Sequence, residues 1–508
     1  MPQYLLGIDN GNTVCKATLF DNTGRVVYSV SNKVKTDYPQ FGWSERNIDD
    51  LWQANVKNIK TIIHQSGINP QEIAGIGNTG HGNGLYLLDK AGKPIVGIQS
   101  IDTRASDLVE EWQDNGLEMQ VYPMTNQKFC ASQTNTLLAW FKRYKPQVYQ
   151  NIGSVLLCKD LINYLLTQEI ATDYSDISTT NLLDIHTKKY SDELLNMYQL
   201  NDIKVSLPPI FQSHEIIGSI SKTAAKQTGL AIGTPVIAGM LDVNASMIGS
   251  GVIKSGEVAV VAGTWSVNGL ISTKPSESKN LAMTALFAKP NLYLTLEASA
   301  TSITNLEWFI NQFCTEERRK AKKMGVSMHE ICDDLVNKAD KNLALIFHPF
   351  LHGSNVQANA RAGFYGLGGW HTKADMLRAI YEGIIFGHLN HIEKLNESGE
   401  VDLKTIRLTG GGSRSPVLSQ MFADVLNTQI EVPNISETGT WGVAIAAGIA
   451  TGVFKNYEEA IDETVSVRKT YLPDGNSHTI FNQKYPIFQN LINQMEMPWN
   501  SLNKIKIS

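Results

Sequence analysis

From Leu5 the chain runs apolar through Leu6, Gly7 and Ile8, turns polar over Asp9-Asn10-Gly11-Asn12-Thr13, and then alternates from Val14 to Phe20. An apolar run, a polar turn and a period of two predict a β-hairpin. Asn10-Gly11 is a strong turn signal, because both residues tolerate positive φ. A third strand is expected over 26–30. Leu51, Trp52, Val56, Ile59, Ile62 and Ile63 then recur at three and four, which predicts a helix over about 50–65 with Asn47 or Asp49 as its cap. Residues 73–77 read as a buried strand and 85–88 as another, followed by a turn at 89–94. Ile101-Asp102-Thr103-Arg104 opens a helix in this reading. Residues 135–170 look helical, 172–183 polar and loop-like, and 186–214 a small helical excursion ending at Pro208-Pro209.

The second half repeats the opening design. Val258–Ala262 is apolar, Gly263-Thr264-Trp265 is a glycine-centred turn, and Ser266–Ile271 alternates. Helical periodicity covers 303–312 and 374–395. Arg407-Leu408-Thr409 reads as a strand entering Gly410-Gly411-Gly412, after which Ser415 caps a helix with Pro416 at its first position. Residues 439–452 form a helix of small residues, suited to close packing on a sheet. Strands alternating with helices predict an α/β fold. The hairpin repeated near the midpoint predicts two similarly built domains, 1–250 and 251–508.

The bulk numbers fit this picture. At 508 residues the chain is too long for one core. Its 42% hydrophobic and 18% charged content is that of an ordinary soluble protein, and a net charge of −5 without a basic run argues against nucleic acid. The N-terminus does not resemble a signal peptide, and the longest weakly polar run, 442–454, is too short to span a bilayer. The 5 cysteines are scattered, which points to reduced thiols in the cytoplasm.

Candidate chemistry gathers at the turns. The first turn sets backbone N–H groups beside a carboxylate (Asp9), a hydroxyl (Thr13) and a cation (Lys16). Such N–H groups and a cation suit a polyphosphate, and the carboxylate suits its metal. An ordinary edge hairpin would look the same in isolation. Gly75-Ile76-Gly77-Asn78-Thr79-Gly80 matches a dinucleotide fingerprint, but no helix opens at its third glycine, so that reading is rejected. His81 lies on a glycine-rich loop at a strand end, either as a ligand contact or as a surface histidine. Asp102 and Arg104 are an acid and a base, or a helix cap with a solvated arginine. Asp242 ends an apolar strand, a common position for chemistry and also for an N-cap. Three glycines before a helix N-terminus let backbone approach a flat or anionic ligand. There is no P-loop, no zinc motif and no nucleophile elbow.

Taken in order, Gly7-Ile8-Asp9-Asn10-Gly11-Asn12-Thr13, Gly80-His81-Gly82, Gly239-Met240-Leu241-Asp242, Gly263-Thr264-Trp265, Phe347-His348-Pro349-Phe350-Leu351-His352-Gly353, Arg378-Ala379-Ile380-Tyr381-Glu382-Gly383 and Thr409-Gly410-Gly411-Gly412 resemble the FGGY carbohydrate kinases, and most of all their L-xylulose kinase group. The resemblance implies two actin-like (ribonuclease H-like) ATPase domains with a nucleotide and sugar cleft between them. It implies ATP and Mg²⁺, with Asn12, Thr13 and Lys16 toward the terminal phosphate and Gly263 and Thr264 toward the others. Gly411, Gly412 and Ser415 would lie near the adenosine side, and Asp9 would position the metal. Asp242 would be the base, with Gly80 and His81 beside it in the sugar pocket. Asp102 and Arg104 are further candidates for the sugar. Glycerol kinases carry Arg-Glu where this chain has Gly80-His81, which argues for a ketose instead. Leu137 stands where the family's first signature usually has lysine.

The implied activity is phosphoryl transfer from ATP to a primary hydroxyl of a ketopentose, L-xylulose first. Another pentulose, a keto-sugar acid or a polyol such as erythritol keeps the fold and changes the acceptor. A sugar-sensing or chaperone-like ATPase is the reading from another class, against which Asp242 argues. A sugar and ATP are the expected partners, with no nucleic acid and no membrane. A homodimer is common in the family.

Overall fold

The computed structural model describes residues 3–276, 278–340, 344–357, 359–397 and 403–505. By compactness the chain falls into two units that interleave in sequence. The first takes 1–255, 271–295 and 437–466, and the second takes 256–270, 296–436 and 467–508.

In the first unit the opening hairpin forms between Tyr4–Asn10 and Val14–Asp21, and Val26–Lys33 continues it antiparallel. The turn differs from the expected one. Neither Asn10 nor Gly11 has positive φ. Gly11 N–H instead donates to Val14 O at 3.1 Å, so a four-residue turn, Gly11 to Val14, carries the reversal after the last pair, Asn10 with Cys15. On its other side Tyr4–Asn10 pairs in parallel with Ile73–Gly80, which pairs in parallel with Met240–Leu241. The register sets Gly80 opposite Asn10 on one side and Leu241 on the other. Parallel strands send their C-terminal ends to one edge. Asp9, His81 and Asp242 therefore leave the sheet together.

Helix Ile48–Ser66 covers one face. Asn47 caps it, accepting from Asp50 N–H at 3.0 Å, and Leu51, Trp52, Val56, Ile59 and Ile62 pack on Leu6, Ile8, Ala17 and Leu19. The other face meets helix Thr438–Ala450. Here a Cβ on Gly7 would stand 2.0 Å from Thr440 O, and one on Gly77 2.3 Å from Val443 O. Backbone packs directly on backbone, which only glycine allows. A second, antiparallel sheet of Glu45–Arg46, Pro94–Ile98, Leu85–Asp89 and Ile152–Leu156 adjoins a separate apolar cluster around Leu87, Leu137, Leu138 and Phe141.

Three local expectations change. Residues 101–104 form a turn, and the helix begins at Ser106. The stretch 135–170 is broken by strand Ile152–Leu156, whose alternation is hidden in a mostly apolar run. Residues 172–183 are polar yet almost wholly buried, with Tyr174–Ile177 as a short helix. Composition alone suggested solvent there, whereas ion pairs and hydrogen bonds make the burial tolerable.

The second unit echoes the first. Val258–Ala262 pairs antiparallel with Ser266–Ser272 and in parallel with Thr405–Thr409, which continues in parallel to Gln429–Pro433 and antiparallel to Val467–Tyr471. Helices Thr304–Phe313, Lys373–Asn396 and Pro416–Leu426 belong to this unit. Ser415 caps the last, accepting from Leu418 N–H at 2.9 Å, with Pro416 first in the helix.

Candidate active site

In the first unit, Asp9 stands one residue before the end of its strand and opposite Lys16 across the hairpin. Asp242 is the first residue of helix Asp242–Gly249 and accepts from Val243 N–H at 2.7 Å. Each carboxylate is packed round by protein and keeps a partly exposed edge. Burial pushes Asp9 up to about 6, opposed by the Lys16 charge and reinforced by Glu437. Burial, and after it the charge of Asp9, pushes Asp242 up to about 7. A carboxylate balanced near neutrality accepts a proton and releases it again at working pH. Lys16, the cation nearest Asp9, is already paired with Glu437 at 2.6 Å. The charge of Asp9 raises the cost of charging Asp242, and two acids that share a field in this way suit a hard divalent cation.

His81 is buried, not a surface residue. Its Nε2 lies 3.0 Å from Tyr86 Oη and its Nδ1 3.3 Å from Gly82 O. Burial lowers its pKa to about 4, so the ring is neutral, with Nδ1–H donating to the carbonyl. Gly80 is enclosed as well: a Cβ there would stand 3.3 Å from Asn10 O and 3.3 Å from Lys159 N. A side chain at this position would press on backbone on both sides.

The first turn is braced from behind by two residues that periodicity did not single out. Arg46, buried, donates to Gly11 O at 3.2 Å and also to Asn12 O. Gln99 Nε2 donates to Asn12 O at 2.6 Å. The Asn12 amide donates to Ser100 Oγ at 2.8 Å, while Thr13 stays exposed. With its carbonyls turned inward onto Arg46 and Gln99, this turn is fixed before any ligand arrives.

In the second unit, Thr264 and Trp265 are exposed at the tip of the second hairpin. Gly263 O accepts from Ile303 N–H at 3.0 Å, and Thr264 O accepts from Thr304 Oγ1 at 3.2 Å. Behind the tip, the buried His388 lies 3.0 Å from Ser266 Oγ and 2.8 Å from Asn268 Oδ1. The glycine triplet divides its tasks. Gly410 has φ 84°, and a Cβ on it would meet Ala262 O at 2.7 Å. Gly412 is packed on Ala262, Ile303 and Leu418, whereas Gly411 is exposed with open space above it. Ser415 is buried, and its hydroxyl donates to Asp333 Oδ1 at 2.6 Å while capping the helix.

Two models, described as the N-terminal and the C-terminal domain of the FGGY family of carbohydrate kinases, match residues 4–249 and 258–451. The chain belongs to the FGGY family of carbohydrate kinases. It is a phosphotransferase with an alcohol group as acceptor, and ATP and a sugar are its small-molecule partners. It is 36% identical to the L-xylulose/3-keto-L-gulonate kinase of Escherichia coli K12 over 499 residues, 97% of each chain. It is likewise 36% identical to a probable L-xylulose kinase of Pasteurella multocida, over 87% of this chain and 90% of that one. The ligand-bound xylulose kinase of Lactobacillus acidophilus superposes with a TM-score of 0.89 over 98% of this chain and 100% of that one. At 24% identity, that likeness speaks for the fold alone.

Within this FGGY kinase, Asp102 and Arg104 are buried and bonded inward. Asp102 accepts from Ser44 N–H at 2.6 Å and from Arg104 Nε at 2.9 Å. Arg104 also reaches Glu45 at 2.8 Å and lies over the Trp43 ring at 4.2 Å. These bonds account for both charges as a structural clasp, and neither the solvated arginine nor a helix start describes them. No helix of the described residues is long and apolar enough to cross a membrane.

Proposed function

We propose that this FGGY kinase transfers the γ-phosphoryl group of ATP to a primary hydroxyl of a ketopentose, with L-xylulose as the first candidate. The observation that carries the reading is the Asp242 carboxyl, lifted to about 7 at a strand end beside the Gly80-His81 wall. That carboxylate is the base: its oxygen takes the proton from the attacking hydroxyl as the new O–P bond forms and the bond from the γ-phosphorus to the bridging oxygen breaks, ADP leaving with that electron pair. A positioned base contributes on the order of 10²–10⁴-fold. The neutral His81 offers a wall that does not compete for that proton, with Gly80 packed closely against backbone beside it. The substrate class rests on the likeness to the L-xylulose kinases, which extends over nearly the whole chain.

Phosphoryl transfer depends mostly on alignment and charge neutralisation. In the proposal Thr13 and Lys16 serve the terminal phosphate, Gly263 and Thr264 the others, and Gly411 the adenosine side. Asn12, Gly412 and Ser415 contribute by shaping these turns, since their side chains or Cα positions are already engaged. Asp9 would hold Mg²⁺, with Asp242 close enough to add its field; the metal supplies charge neutralisation to the phosphates. The 5 cysteines are free thiols, as in proteins of a reducing compartment, and the proposal places the reaction in the cytoplasm.

The test is coupled ADP release over a panel of pentuloses, keto-sugar acids and polyols. Release dependent on L-xylulose supports the proposal. Release dependent on 3-keto-L-gulonate instead moves the acceptor to the second activity in the Escherichia coli relative's name. ADP release without sugar dependence defeats it.

A further inference from the structure

A buried ionic cluster lies directly behind the Gly80-His81 wall. Lys159, the second residue of helix Cys158–Thr167, is fully enclosed. Its ammonium stands 2.5 Å from Asp160, 2.9 Å from Asp173 and 3.7 Å from Asp176. One cation against three acids at zero exposure is costly, so the cluster is weak evidence of a stabilising role. Burial drives Asp176 well above its ordinary range, and neither of its oxygens has a hydrogen-bond partner among the described residues. The family comparisons and the kinase reaction give this cluster no role.

Its bonds lead to the base. Asp173, held by Lys159, accepts from Ser175 Oγ at 2.6 Å, from Ser175 N–H at 2.9 Å and from Ser213 Oγ at 2.7 Å. Ser175 Oγ, its proton thus committed to Asp173, accepts from Leu241 N–H at 3.0 Å. Leu241 is the residue before Asp242, and its pairing partner in the sheet is Gly80. A second tie leaves the same helix one turn on: Asn163 donates to Ala238 O at 2.9 Å and accepts from Asn78 at 2.8 Å. Thr79 Oγ1 donates to Met240 O at 2.7 Å. The backbone entering Asp242 is therefore gripped on both sides.

We propose that Lys159, Asp173 and Ser175 form a positioning relay for Asp242, in which the buried ion pair orients Ser175 and Ser175 fixes the Leu241 amide. This rests on the reading of Asp242 as the base. The relay explains why a charged pair sits in an otherwise wasteful place. A lone serine hydroxyl rotates between partners, whereas one whose proton is held by a charge-anchored carboxylate presents a lone pair in a single direction. Loss of about 1 Å in the placement of a reacting group costs up to about a hundredfold in rate.

The test is Ser175→Ala in the full-length enzyme, with kinetics and nucleotide binding measured side by side. The expected result is a kcat lower by about tenfold to a hundredfold, with the KM for ATP and the affinity for ADP within about twofold of the parent. Placed on top of Asp242→Asn, the same change lowers the residual rate no further, because residues acting as one unit are not additive. Ser175→Cys, close in volume and a weak acceptor, repeats the measurement should the alanine variant not fold. Ser175→Thr, which keeps the hydroxyl, restores most of kcat. An unchanged kcat in Ser175→Ala, or an equal loss with and without Asp242→Asn, overturns the relay. Normal turnover in Asp242→Asn alone overturns the base reading and leaves a separate signature.

Discussion

Asp242 shows how one residue's setting becomes a property of the enzyme. Its folded midpoint of about 7 lies above that of a free aspartate, with burial as the first cause. The folded state thus binds a proton that the unfolded chain releases near 4, and unfolding free energy falls as pH rises from about 4 to about 7. Each pH unit of separation is worth about 1.4 kcal/mol. Asp242→Asn removes that cost, so its urea midpoint should exceed the parent's at pH 8 and converge toward it at pH 5, while sugar phosphorylation falls to a residual rate about 10²–10⁴-fold lower and nucleotide binding stays. Equal midpoints at pH 8 would show that burial does not strain the charged form. In the parent, kcat/KM should climb through about pH 7 as the base ionises, with no further inflection from His81, which is neutral above about 4. The strand-end positions of Asp242 and His81 were legible from the apolar runs that precede them, whereas the burial of His81 was not. Asp102 and Arg104 were legible as an acid–base pair, but not as a clasp, because their partners Ser44 and Glu45 lie more than fifty positions away.

At the scale of elements, the two hairpins were readable because a period of two and a polar turn are local signals. Their turns were not. The first is braced by Arg46 and Gln99, and the second by Ile303, Thr304 and His388, all distant in sequence. The charge-assisted bonds from Arg46 contribute about 1.5–3 kcal/mol each. Arg46→Ala should therefore raise the KM for ATP about tenfold or more with a smaller change in the acceptor's KM, read from initial rates with each substrate varied; an unchanged KM for ATP removes the brace from the account. Helix Thr438–Ala450 gives a sharper structural test. A Cβ on Gly442 would stand 1.9 Å from Ala245 O, a backbone atom that has no rotamer to yield. Gly442→Val should destabilise the first unit by several kcal/mol, beyond the ordinary range of about 0.5–3 kcal/mol for single changes, visible as insoluble expression or a collapsed melting transition. The stretch 172–183 escaped the reading because its polar composition is that of a loop. Its burial depends on Lys159, which no local pattern connects to it.

At the scale of the molecule, activity and stability are coupled through ligands. A ligand that binds only the folded chain stabilises it by RT ln(1 + [L]/Kd), about 2.7 kcal/mol at a hundredfold excess over Kd. The true acceptor sugar should raise the melting temperature by a few degrees, and its enantiomer should not. Both sugars acting alike would mean that the acceptor has been misassigned. The interleaving of the units adds a constraint: residues 437–466, late in the chain, complete the first unit. A truncation before residue 437 should remove helix Thr438–Ala450 from the Gly7 and Gly77 face and leave that sheet half-covered.

Short-range pattern was enough for the α/β class, the two echoing hairpins, the capped helices at Asn47 and Ser415, and the order of motifs that marks an FGGY kinase. Each of these depends on residues within a few positions of one another, where backbone preference and apolar spacing act directly. Register, burial of charge and the bracing of turns came only with the tertiary fold. Asn10, Gly80 and Leu241 become neighbours through parallel pairing, and Lys159 reaches the amide of Leu241, the residue before Asp242, through Asp173 and Ser175. Such contacts depend on which distant segments exclude water together, and that is a property of the assembled core.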